Sequence, residues 1–224
     1  VPVGKSETPR QLEFIYPQHP PGCLLLALYC RTRGLTPDEM PIDLILHTPG
    51  GLVASEQIAE ALKKHPSKVT VFVPHYAMSG GTMISLAADE IMLDENAVLG
   101  LVNPQLGQFP AASIIEVTKI KKVEDISDNT LIMADIAHKA IRQVRHFIKQ
   151  ILNSKLSEEM AEQLANVLSD GRWAHDGPLG GEDLIQLGLP VRFGLPREVY
   201  ELMDLYPQAP TRRPTVQYIP MPYP

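Results

Sequence analysis

A chain of 224 residues with 44% apolar content is long enough to bury a core as one sizeable domain, alone or with extensions. Its 26 acidic against 20 basic residues give a net charge of −6, which speaks against nucleic acid as a partner. Two cysteines, Cys23 and Cys30, make neither a disulfide framework nor a metal-ligand spacing, and the apolar run "CLLLALYC" is far too short to span a membrane.

Residues 1–22 are rich in proline and polar groups and are expected to form a loose arm. "IDLILHTPGG" then reads as a strand closed by the turn Pro49-Gly50-Gly51. "VASEQIAEALKKH" follows as a helix with Val53, Ile58, Ala61 and Leu62 on its apolar side. "SKVTVFV" is the next strand and "GTMISLAAD" the next helix, with "YAMSGG" between them. "EIMLDENAVLG" is a further short buried strand and turn. Strand, glycine turn and helix thus occur twice in succession, the pattern of parallel βαβ units.

Ser79, between the second strand and its helix, admits two readings. It is either a helix N-cap or a nucleophile held beside backbone donors. Parallel strands joined by right-handed crossovers put their C-terminal turns at one sheet edge, so Pro49-Gly50-Gly51 and Met78-Ser79-Gly80-Gly81 should lie together. Glycines there present N–H groups unobstructed. Two such turns beside one hydroxyl suit the oxyanion of acyl transfer, at roughly 3 kcal/mol per donor. The alternative is that both turns merely permit tight connections.

The segments "HTPGG", "YAMSGGTMISLAAD", "LGLVNPQLG" and "GRWAHDGP" with "LIQLGL" resemble the ClpP/crotonase superfamily. The likeness is to its serine-protease branch related to signal peptide peptidase A, the serine dehydrogenase proteinase group, and covers roughly residues 41–219. It implies an α/β fold of stacked ββα units, with a mostly parallel sheet and flanking helices. Residues 1–40 would be a poorly matched arm, 41–206 the protease domain and 207–224 a proline-rich tail. It makes Ser79 the nucleophile, with Gly51 and Gly80 supplying the oxyanion-hole N–H groups. The α/β-hydrolase elbow does not fit, because Ala77 stands where its first glycine belongs. The resemblance further implies a membrane anchor in the intact protein, through a segment absent from this chain; the chain itself reads as soluble.

Where ClpP carries its histidine, this chain has Val102-Asn103-Pro104-Gln105, and asparagine cannot take a proton. The peptidase A branch uses a Ser-Lys dyad instead, which requires a lysine whose pKa is lowered from about 10.4 toward about 7 to 8. Lys119, Lys121 and Lys122 in "SIIEVTKIKKVEDISD" fall about where related proteases place theirs. Lys121 is the first choice and Lys119 the second. A helix would put Ile115, Thr118 and Lys122 on one face, whereas an extended segment would align Lys119 with Lys121. All three can equally be a solvated cluster facing Glu116, Glu124 and Asp125. Gly50, His75, Asn103 and His175 are candidates for contacting substrate or assisting, and His47 is placed to line the same cleft. No metal and no cofactor are expected.

"TLIMADIAHKAIRQVRHFIKQIL" is a long amphipathic helix carrying Leu131, Ile132, Ile136, Ala140, Val144, Phe147 and Ile148, with His138 and His146 as surface groups. The resemblance implies a homo-oligomer through this helix. Phe147 and Ile148, beside Arg145 and Lys149, are the expected apolar centre of the contact. Three functions follow. The first is a Ser-Lys endopeptidase acting on polypeptide segments, membrane-associated ones included. The others are a crotonase-like acyl-CoA enzyme and an inactive scaffold of the same fold.

Overall fold

Apolar strands that helices cover on both faces build the centre of the molecule. The structure, a computed structural model, describes residues 12–15, 25–30, 40–171 and 178–205. Strand β1 (Leu12–Ile15) pairs antiparallel with β2 (Leu25–Cys30), and β2 antiparallel with β3 (Ile42–His47). From β3 the sheet continues in parallel through β4 (Val69–Val73), β6 (Glu90–Leu93) and β11 (Val191–Phe193). Between β4 and β6 lies the two-residue strand β5 (Tyr76–Ala77), which joins β7 (Val98–Gly100) and β10 (Pro178–Gly180) in a second, three-stranded sheet. The hairpin β8 (Gln105–Leu106) and β9 (Phe109–Pro110) completes the strands. The α/β architecture with a mostly parallel sheet is the expected one.

Among the described residues the α-helices are α1 (Leu52–Lys64), α2 (Gly80–Ala87), α3 (Ala111–Ile120), α4 (Asp128–Leu152), α5 (Glu158–Ser169), α6 (Gly181–Gln186) and α7 (Arg197–Leu205). Leu44 and Leu46 of β3 and Val71 and Val73 of β4 share one core with Met83, Ile84 and Leu86 of α2. Ile45 and Phe72, on the other face, pack with Val199 and Met203 of α7. Burial on both faces is why these strands read as continuous apolar runs rather than alternating ones.

Three expectations are corrected. Leu12–Ile15, assigned to a loose arm, forms a paired strand, because β2 offers it an edge that a local reading of proline and polar content does not reveal. In α1 the buried face is Ser55, Ala59 and Leu62, with Ile58 against it. Val53 is 71% exposed and Ala61 is exposed too. The small serine, not the valine, sits where α1 meets α2, because that approach is too close for a branched side chain.

The third correction concerns α4. Ile148, Ile151 and Leu152 are fully buried and Phe147 packs on the main core, so the expected oligomer centre is filled from within the chain by α2 and α5. The N-terminal half of α4 packs on α3 through Ala134 and Ala137 and leaves Ile132 and Ile136 exposed. Residues 207–224, read as an extended tail, lie outside the described residues.

Candidate active site

The two glycine turns do meet. Thr48, just past β3, forms a parallel bridge with Ala77 of β5. Its N–H donates to Tyr76 O at 3.2 Å, and its carbonyl accepts from Met78 N–H at 2.9 Å. Thr48 Oγ1 then accepts from Gly50 N–H at 3.0 Å, which bends the chain back over the second turn. Gly50 and Gly51 have φ of 113° and 144°, where glycine is at ease and other residues are not. A methyl group on Gly50 would lie 2.8 Å from both Met78 O and Ser79 Cβ. One on Gly80 would run into Gly51 O and Ser55 Oγ. Glycine is therefore required by backbone angle at Gly51, by close approach at Gly80 and by both at Gly50.

Ser79 precedes α2 but does not cap it. Its φ is 52° and its ψ −111°, and it is the only non-glycine residue with positive φ among the described residues. Such a conformation costs about 1–3 kcal/mol. The hydroxyl makes no capping bond, while the Ser79 carbonyl accepts from Thr82 and Met83 N–H at 3.0 and 3.3 Å. The N–H groups of Gly51 and Gly80 have no hydrogen-bond acceptor among the described residues. Half-exposed Ser79 thus stands at the positive end of a wholly buried helix with two donors nearby, an arrangement suited to developing negative charge.

Thr82 was not singled out by sequence reasoning, yet it locks this turn. Fully buried, it places Oγ1 2.6 Å from Gly100 O and 3.0 Å from Ala77 O, tying α2 to β5 and β7 at once. A threonine in the first turn of a helix whose remaining residues, Ser85 apart, are glycine or apolar was the available signal. Asn103 is buried beyond β7, and the following Pro104 carbonyl accepts from Ala111 N–H at the start of α3.

His47 is 6% exposed, and its ring lies 4.2 Å from Tyr76 and edge-on to that of exposed His75 at 5.3 Å. Its Nδ1 has no hydrogen-bond partner in the structure's described part. Burial, then the charge on His75, pushes its pKa down to about 4. Because the folded value lies below the ordinary one, the unfolded chain takes up a proton first as pH falls from about 6.5. Stability is complete above that pH and is lost progressively down to about 4. Urea midpoints measured at pH 7.5 and 4.5 should show a loss of about 2–3 kcal/mol that His47→Phe does not share. Equal losses in both proteins would exclude His47 as the source.

The lysine segment is helical up to Ile120. Lys119 is in the last turn of α3, 65% exposed, with Nζ 2.9 Å from Glu116 Oε2. Lys121 is the C-cap residue and Lys122 opens a short 3-10 turn (Val123–Asp125), both exposed. Exposed apolar side chains surround them in sequence, with Ile120 at 76% and Val123 at 68%. His175 lies outside the described residues. Among the described residues, no three His, Cys, Asp or Glu side chains form a group able to hold a metal. No described helix is long and apolar enough to cross a membrane.

Comparison with known proteins sets this site in context. Residues 28–224 match the family described as ClpP-like SDH-type serine proteinase. Two uncharacterized proteins of Methanocaldococcus jannaschii, MJ1495 and MJ0137, are 56% and 55% identical over 194 and 187 residues. Those alignments take in 86% and 83% of this chain but 66% and 65% of the relatives, so the chain spans about two thirds of their length. Among solved structures, a variant of the 1510-N membrane-bound stomatin-specific protease is similar at 19% identity and a TM-score of 0.46, covering 73% of this chain and 68% of that one. A likeness that distant carries no residue roles across.

Proposed function

From the premise that this chain belongs to the ClpP-like SDH-type serine proteinases, we propose that it is a serine endopeptidase of Ser-Lys type with Ser79 as its nucleophile. The observation that carries the reading is the strained, uncapping Ser79, pressed against the Gly50–Gly51 turn. A serine serving only as a cap would accept from the first-turn N–H groups and would keep an extended backbone.

In this reading Ser79 Oγ attacks the peptide carbonyl carbon while its proton passes to a neutral lysine amine. The carbonyl oxygen, now an anion, is held by Gly51 and Gly80 N–H. The lysine returns the proton to the departing amine, and water repeats the sequence on the acyl-enzyme. Lys121 is favoured as the base over Lys119, because Lys119 Nζ already points to Glu116 Oε2, 2.9 Å away. The substrate is an exposed polypeptide segment. Gly50, His75 and Asn103 line or support the cleft, and the working form is a membrane-associated homo-oligomer. The exposed apolar residues Ile120 and Val123 support a contact that covers the lysine segment and dries it.

The test is a fluorophosphonate probe, with the labelled peptide mapped by mass spectrometry. Labelling is expected at Ser79, at a rate that rises with pH through a value above that of histidine. Lys121→Ala should lower kcat/KM at least about a hundredfold. If Lys119→Ala, Lys121→Ala and Lys122→Ala all keep full activity, the base is not in this segment. Absence of labelling would favour an acyl-CoA enzyme or an inactive scaffold instead.

A further inference from the structure

A lysine suited by environment to a proton-transfer role does exist in this chain, but at the wrong end of the nucleophile helix. Lys155 lies in the link between α4 and α5. Its Nζ donates to Leu86 O at 2.7 Å and also to Ala88 O. Those carbonyls belong to the last turn and C-cap of α2, whose first residue follows Ser79. Eight helical residues separate the two ends by about 12 Å, so Lys155 cannot take the serine's proton.

Its position serves a different purpose. A buried helix end normally satisfies its last carbonyls with a left-handed glycine or a solvent-facing cation. Here Ala88 is extended, with φ −72° and ψ 152°, and a part-buried ammonium reaches in from another element instead. The cation faces the negative end of the helix dipole and bridges two carbonyls at once. Beyond the first turn, which Thr82 Oγ1 ties to Ala77 O and Gly100 O, α2 offers mainly apolar contacts to its neighbours, which resist separation better than sliding. At its other end Gly50, Ser79, Gly80 and Gly51 approach so closely that a small axial displacement of α2 would alter their mutual placement.

We propose that Lys155 is a positioning residue for Ser79: its hold on the far carbonyls of α2 fixes the helix along its axis, and with it the Ser79 hydroxyl and Gly80 N–H against the Gly50–Gly51 turn. The proposal rests on the reading of Ser79 as nucleophile. Asp89, which accepts from Val69 N–H at 2.8 Å, is the charged group facing the amine and favours its charged form. Burial outweighs it and brings the amine to about 8, so the clamp loosens as pH rises through that value. A misplacement of about 1 Å can cost on the order of a hundredfold in rate.

The experiment is the rate of fluorophosphonate labelling at Ser79 from pH 6 to 10.5 in the wild-type chain, Lys155→Arg and Lys155→Met, with kcat and KM on a peptide substrate alongside. The wild type should show an alkaline decline near pH 8, superimposed on whatever the base contributes. Lys155→Arg should keep the neutral-pH rate and lose that decline, because guanidinium stays charged. Lys155→Met should be at least about tenfold slower in kcat, with KM little changed and no alkaline decline. If Lys155→Met fails to fold, Lys155→Arg decides alone. A Lys155→Arg protein that keeps the wild-type decline, or a folded Lys155→Met protein with the wild-type rate and profile, overturns the proposal. A wild-type chain labelled elsewhere than at Ser79 overturns the nucleophile reading and this inference together, whereas labelling at Ser79 with an unmoved profile overturns the inference alone.

Discussion

Ser79→Ala should abolish fluorophosphonate labelling and reduce peptide hydrolysis by at least about 10⁴-fold, because in the proposed mechanism the Ser79 hydroxyl is the acyl acceptor. Ser79→Gly should be equally inactive yet more stable than either protein. The native φ of 52° and ψ of −111° strain any side-chain-bearing residue, at about 1–3 kcal/mol, and glycine relieves it. Glycine's greater freedom in the unfolded chain offsets roughly 0.5–1 kcal/mol of that gain. A net rise in thermal midpoint of a few degrees is therefore expected, at about 2–4 °C per kcal/mol for a domain of this size. A Ser79→Gly protein that melts below wild type would show that the turn is not strained, and would remove the argument that strain marks the nucleophile.

Gly80→Ala should be the most damaging alanine substitution among the described glycines. It would collide with Gly51 O and with the Ser55 side chain, whose Cβ lies 2.7 Å from the new carbon. Neither a carbonyl in a turn nor a buried serine on a helix can move aside cheaply, so a loss above about 3 kcal/mol is expected, with labelling lost as well. Adding Ser55→Gly should recover only part of the stability, since the Gly51 carbonyl remains in place. Gly107→Ala is the control: its φ of 65° strains alanine, but the methyl group meets nothing, and about 1 kcal/mol should be lost. Equal urea midpoints for the two glycine variants would refute the close approach of the turns.

The pairing of those turns was legible because it follows from topology. Two parallel units ending in glycine must place their loops at one edge, and Thr48 bridging Ala77 is the realised form of that rule. The backbone state of Ser79 was not legible, since serine before a buried helix reads equally as a cap. Nor was the direction of α4's apolar stripe. Ile132 and Phe147 look alike in periodicity, but only Phe147 has other elements to cover it. Lys155 was invisible for a related reason: its partners are carbonyls about seventy residues earlier, and carbonyls leave no mark in a sequence.

The complete burial of α2, set against the exposed flank of α3, has a consequence for amide hydrogen exchange. Every residue from Gly80 to Ala87 is buried, so its hydrogen-bonded amides should exchange only when the whole domain opens. The end of α3, with Val117, Ile120, Lys121 and Lys122 in solvent, should exchange through local fraying at far lower free energy. The serine and its candidate bases then belong to different cooperative units, one as durable as the fold and the other able to open and reclose many times while the first stays shut.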